Sequence, residues 1–264
     1  VYWDPELGLD EDEVNTDLAD NGLDRSEIYT ATANLTWDLG EDYSLSSITG
    51  YKSYDFDYVE DYDARPERID NVGIFNEVDY YSQELRLNFA GERVEWFVGA
   101  SAYAENIDGY FFQNYDEDAL CNAIGRTDAA DFSGPVTGGC DDPVFEEYWG
   151  ADIDPADLVN DKREDSWNEM ESLGYSVYGD ITWSATEKLD LTVGARWTYD
   201  EKDMSTRIAD SGGALGNNFS WEYFTDGFVQ ADDDWSEFTP RAAVNYELNE
   251  QVSLYANVST GYKS

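Results

Sequence analysis

The chain has 264 residues, with 59 Asp+Glu against 15 Lys+Arg, no His and a formal net charge of −44. That balance excludes nucleic acid as a partner, because phosphate contacts need Lys and Arg, and the missing His removes the commonest general base and the usual triads. Low hydropathy with heavy charge marks disorder, but 20 Tyr, 9 Trp and 12 Phe mark a folded chain. No run of about 18 apolar residues exists, so no transmembrane helix is expected.

Residues Val1 to Glu27 are acidic and without sustained periodicity, and read as a loop that lacks a signal peptide and an initiating Met; the chain is expected to be a fragment or processed product. The first hairpin follows. Tyr29, Ala31, Ala33, Leu35 and Trp37 alternate with Thr30, Thr32, Asn34 and Thr36, and Gly40-Glu41-Asp42 leads into a second strand, Tyr43 to about Tyr58. A period of two puts successive side chains on opposite faces, which is the signature of a strand. A loop is expected from about Val59 to Val78. The second hairpin, Tyr80 to Ala90 and Val94 to about Phe112, turns at Gly91-Glu92-Arg93. The longest loop, about Gln113 to Glu171, holds both cysteines, Cys121 and Cys140. An isolated pair in one polar stretch suits a single loop-closing disulfide in an oxidising compartment.

The third hairpin is the clearest. Tyr175, Val177, Gly179, Ile181 and Trp183 alternate with polar residues, Ala185 to Lys188 forms the link, and Leu189, Leu191, Val193, Ala195, Trp197 and Tyr199 continue one face. A third loop, about Ser205 to Trp235, precedes the last hairpin, Glu237 to Leu248 and Val252 to Tyr262. Pro240 removes a ladder donor and is expected near the loop end of its strand.

The reading is therefore all-β: an antiparallel transmembrane β-barrel segment of eight strands in four hairpins. Four tight links alternate with loops of roughly 20 to 60 residues, uncommon in compact soluble domains but the pattern of outer-membrane barrels. Aromatics flank the short links (Trp37 and Tyr43, Phe89 and Trp96, Trp183, Tyr246), where an interfacial girdle belongs. Arg86, Arg196 and Arg241 fall opposite the apolar face, so they are expected to face a lumen; in lipid each would cost roughly 2–4 kcal/mol.

No catalytic constellation is present. Gly99-Ala100-Ser101-Ala102-Tyr103 lacks the last Gly of a nucleophile elbow, Gly261-Tyr262-Lys263-Ser264 fails as a phosphate loop, and no acidic run has calcium-loop spacing. No enzyme activity, cofactor or metal site is expected. Binding is the better prospect: Tyr110, Phe112, Tyr115, Tyr148, Trp149, Trp167, Trp221 and Tyr223 concentrate in the expected loops, and aromatics with polar handles supply area and orientation in ligand sites.

At the strands the sequence resembles the barrel domain of the TonB-dependent outer-membrane receptors of Gram-negative bacteria. The resemblance is carried by Ser82-Gln83-Glu84-Leu85-Arg86-Leu87 with Trp96-Phe97-Val98-Gly99-Ala100, by Leu191-Thr192-Val193-Gly194-Ala195-Arg196 with Thr198-Tyr199-Asp200-Glu201-Lys202, by Phe238-Thr239-Pro240-Arg241, and by Leu254 to Ser264. It implies a 22-stranded parent barrel in the outer membrane, contact with outer-membrane lipid, and uptake of a small nutrient complex such as a ferric siderophore. It also implies energy from the TonB complex through a plug domain. The chain departs from that plan in having eight strands and no plug. Two other readings are a self-contained eight-stranded outer-membrane barrel, structural or adhesive, and a secreted acidic β-protein.

Overall fold

The computed structural model describes residues 16–18, 22–63, 68–121 and 154–263. Eight strands form one sheet in sequence order: β1 (Leu23–Asp38), β2 (Tyr43–Asp61), β3 (Asn71–Ala90), β4 (Val94–Tyr115), β5 (Lys162–Thr186), β6 (Leu189–Ile208), β7 (Val229–Asn249) and β8 (Val252–Ser259). Every neighbouring pair is antiparallel. The four short links therefore share one end and the three long connections the other. The sheet is open: β1 pairs with β2 alone and β8 with β7 alone. The eight-stranded closed barrel is not formed.

The strands outrun the sequence expectation at the loop end. β1 starts at Leu23 rather than Ile28, β3 at Asn71 rather than Tyr80, β5 at Lys162 rather than near Tyr175, and β7 at Val229 rather than Glu237. β2 and β4 run on to Asp61 and Tyr115. Apolar alternation marks only the part of each strand that carries the apolar band. Beyond it both faces are largely polar or aromatic, and the ladder continues because the facing backbone N–H and C=O groups of neighbouring strands still pair. β8 is the exception, ending at Ser259 instead of Tyr262.

Pro240 also corrects the expectation, for it lies in the middle of β7, opposite Ala195. Its carbonyl accepts from the Thr260 N–H at 3.2 Å, so its backbone polar edge points toward β8. The ladder there ends at the pair Arg241 and Ser259. The missing donor falls where β8 stops, and the proline interrupts no established ladder bond.

Cross-strand register gives the two faces distinct character. One carries Trp37, Leu85, Val98, Val177, Ile181, Val193 and Leu254, all exposed. Near the short links Tyr43, Phe89 and Trp96 cluster on this face, with ring centroids 4.9, 6.2 and 5.7 Å apart. A second row crosses the sheet higher up: Tyr51 against Tyr81 at 4.8 Å and Tyr175 against Tyr199 at 5.0 Å. From Phe89 to Tyr81 is about 27 Å along the strand, or about 20 Å in height at the usual tilt. That is close to the apolar band of an outer-membrane barrel with its two girdles. The lower girdle is the one expected at the turns; the upper one stands inside the strands.

Candidate functional site

The polar face has a connected middle. Register puts Arg86, Gly99, Tyr178, Arg196 and Thr239 in one row and Asn88, Phe97, Asp180, Gly194 and Arg241 in the next. Arg86 lies 3.6 Å over the Phe97 ring, Arg196 lies 5.4 Å over Tyr178, and Arg241 donates to Asp180. The three arginines thus share the face opposite the apolar band. The Nε of Arg86 is buried and has no hydrogen-bond partner among the described residues. Further up, the Tyr103 hydroxyl donates to Asp200 at 2.8 Å, and Ser101 and Ser176 share a bond at 2.8 Å. Gly99 and Gly174 leave the room these rings occupy: a Cβ at either would meet Tyr178 or Tyr103.

At the loop end the same face becomes a closed cluster. Glu117 and Lys162 are fully buried and pair at 2.6 Å. The Glu117 carboxylate also accepts from the N–H groups of Val159, Ala214 and Leu215, at 2.7, 3.3 and 3.1 Å. Glu164 accepts from the Tyr115 hydroxyl at 2.6 Å and from the N–H groups of Phe219 and Ser220 at 3.1 and 3.0 Å. Lys162 donates in addition to the Gly216 carbonyl. Tyr115, Leu120, Cys121 and Leu215 form the small core beside them. Two carboxylates from the β4–β5 side therefore clasp the segment 209–225 over the polar face. Burial and the neighbouring Glu164 push the Tyr115 hydroxyl well above its ordinary pKa. Among the described residues no three metal-ligating side chains converge.

The sequence-predicted aromatics separate. Tyr110, Phe112 and Trp167 are strand residues, not loop residues, and they sit on the face of the apolar band. Tyr115 ends β4 on the polar face and is buried in the clasp. Trp221 and Tyr223 do lie in a loop, 91% and 54% exposed, and Trp221 and Glu222 take left-handed backbone with φ of 55° and 62°. That conformation is costly for a residue with a Cβ. Tyr148 and Trp149 lie outside the described residues. Cys121 is disulfide-bonded; Cys140 lies outside the described residues.

Glu117, Lys162 and Glu164 were missed by sequence reasoning. Two acids among 59 carry no signal. The clue was the opposite charge: Lys162 and Arg163 stand in an acidic connection of a chain that has only 15 Lys+Arg.

No curated protein matches the sequence. The fold matches the ferric yersiniabactin uptake receptor FyuA of Yersinia pestis with a TM-score of 0.54 at 15% identity, over 88% of this chain and 27% of that one. It matches the siderophore receptor PiuA of Acinetobacter baumannii with a TM-score of 0.54 at 17% identity, over 97% of this chain and 36% of that one. The chain thus spans about a third or less of the receptors it resembles. The family model described as "TonB dependent receptor-like, beta-barrel" matches residues 2–264, and the chain belongs to that family.

Proposed function

We propose that the chain is part of the wall of a Gram-negative outer-membrane receptor that takes up a scarce nutrient complex, such as a ferric siderophore, with energy from the TonB complex. The observation that carries this reading is the set of three guanidinium groups, Arg86, Arg196 and Arg241, in two adjacent rows of the polar face, within a chain whose net charge is −44. Fixed cations on the lumenal side of an otherwise acidic wall offer an anionic complex a place to pair. The names of the two receptors with this fold, both concerned with siderophores, support the substrate class.

In this reading Trp221 and Tyr223, with Tyr148 and Trp149, belong to the outer capture surface, and Cys121 pairs with Cys140. Energy coupling runs through a plug domain that is no part of this wall. Tyr115 holds the mouth together, whereas Tyr110, Phe112 and Trp167 face away from the lumen and take no part in capture. No step of bond chemistry is assigned to the wall.

The test is radiolabelled-iron uptake in cells lacking the full-length receptor, supplied with siderophores of different charge. Loss of uptake of one anionic complex is expected, with the same loss in a TonB-deficient strain. Arg86→Ala with Arg241→Ala should weaken uptake about tenfold, equivalent to about 1.4 kcal/mol. Unchanged uptake of every nutrient complex in the deletion strain would overturn the reading.

A further inference from the structure

The segment 209–225 takes left-handed backbone at Gly212, Gly213 and Gly216, where glycine allows it. Further along, the same conformation falls on Trp221 and Glu222, which both carry a Cβ. Such backbone persists only where the surroundings hold it. Two buried side chains do so. Asn217 works from inside the segment: its carbonyl accepts from the Glu222 N–H at 2.7 Å, and its Nδ2 donates to the carbonyls of Ala209 and Tyr223 at 2.7 and 3.2 Å. Glu164 works from β5. One of its carboxylate oxygens accepts from the Tyr115 hydroxyl and the Phe219 N–H, the other from the N–H and the hydroxyl of Ser220, each at 3.0 Å.

The two residues that Glu164 grips stand directly before Trp221. Trp221, Tyr223 and Phe224 are left exposed. A loop that orders only on meeting its ligand spends part of the contact energy on that ordering. Here the ordering is done in advance, by groups buried beneath the exposed rings.

We propose that Glu164 is a positioning residue for nutrient capture. Through Phe219 and Ser220 it fixes the left-handed backbone of Trp221 and Glu222, and so presents Trp221 and Tyr223 to the arriving complex. The inference rests on the uptake reading given above and assigns that function a residue that touches no ligand. Four donors converge on the Glu164 carboxylate. Glutamine is the same size but offers one oxygen and turns an NH2 group toward two of those donors. Glu164→Gln therefore releases one arm of the grip and leaves the strand ladder in place.

The experiment measures initial uptake against concentration in cells whose only copy of the receptor is the full-length protein or its variant. The probe is the radiolabelled anionic iron complex whose uptake the deletion strain loses. Glu164→Gln should raise KM about tenfold and change Vmax by less than about twofold. Trp221→Ala should do the same, and the double variant should be no worse than Trp221→Ala alone, because both act through one contact. A role confined to holding the barrel together would instead lower the amount of receptor, and hence Vmax, at unchanged KM. Heat-modifiable gel mobility establishes that each variant is folded. If Glu164→Gln fails to fold, Asn217→Asp, which frees Tyr223 from within the segment, should raise KM in the same way. Hydrogen exchange of the purified receptor supplies a readout that needs no nutrient: the Glu222 and Tyr223 amides, bonded to the carbonyls of Asn217 and Ser220, should exchange at least about tenfold faster in Glu164→Gln. Unchanged exchange overturns the proposal. So does faster exchange at unchanged KM, or a double variant in which the two losses multiply. A deletion strain that loses uptake of no complex overturns the uptake reading itself, and this inference with it, whatever the exchange shows.

Discussion

Between Trp96 and Ala104 the outward side of β4 carries Trp96, Val98, Ala100, Ala102 and Ala104, one apolar or small residue after another, while the inward side carries Phe97, Gly99, Ser101 and Tyr103. A dozen residues further, at Tyr115 and Glu117, the chain is organised differently: a buried ion pair, a buried tyrosine and a carboxylate holding three N–H groups. In the band the backbone satisfies itself through the ladder, as any structure in hydrocarbon must. The side chains need only be apolar, and many small contributions share the load. At the clasp the β4–β5 ladder reaches its last pair, Tyr115 and Lys162, and four side chains carry the contact with the segment 209–225. Stability is spread out in the first region and concentrated in the second.

The sharpest way to break this contrast is to remove one partner of the buried pair. Lys162→Ala leaves Glu117 charged and unpaired in a dry site, at a cost of about 3–5 kcal/mol. Hydrogen exchange should then speed up by more than a hundredfold at Ala214 and Leu215, whose amides bond Glu117, with no change in the band. Replacing both partners together, Glu117→Leu with Lys162→Met, should recover much of the loss.

The band resists in a different way, since only a charge on the wrong side matters. Val193 is 56% exposed on the apolar face, and its neighbour Thr192 bonds Thr182 on the polar face. Val193→Arg should destabilise the full-length receptor in lipid by about 2–4 kcal/mol, while Thr192→Arg should have a markedly smaller effect. Equilibrium unfolding in liposomes distinguishes them, and equal effects would refute the assignment of faces.

pH acts on the clasp through Tyr115. Tyr115 has its pKa raised in the folded state by burial and by Glu164. Its contribution is therefore fully present below the unfolded value of about 10 and is lost as the pH rises beyond it. Exchange at Phe219 and Ser220, which bond Glu164, should accelerate above about pH 10, and Tyr115→Phe should remove that dependence.

The smallest effect is expected at the β2–β3 connection. Burial first, and then the nearby Asp61 and Glu60, raise the pKa of Asp70 against the opposing bond from Gln113. A carboxyl with a raised folded pKa binds its proton more tightly in the fold, so this connection gains stability as pH falls through that value. Protection of the Tyr62 amide, which bonds the Asp70 carbonyl at 2.8 Å, should rise modestly on acidification. Asp70→Asn should make it insensitive to pH.

The sequence by itself determined the faces of the sheet and the order of its strands. Leu189, Leu191 and Val193 against Asp190, Thr192 and Gly194 can be arranged in only one way when one side must meet lipid, because a slip of one residue would invert every side chain. Arg86, Arg196 and Arg241 were legible for the same reason. Only the tertiary structure decided what lies above the band. There Trp167 fell inside an expected loop, and Tyr110 and Phe112, at the expected end of their strand, were grouped with the loop aromatics, since water on both sides imposes no alternation and the ladder that continues the strands is written in backbone bonds shared by every sequence. The clasp was hidden more deeply. Glu117 and Glu164 differ from the other acids of the chain only in having a lysine, a tyrosine and five backbone N–H groups brought to them from residues 42 to 98 positions away, and such long-range contacts leave no local pattern to read.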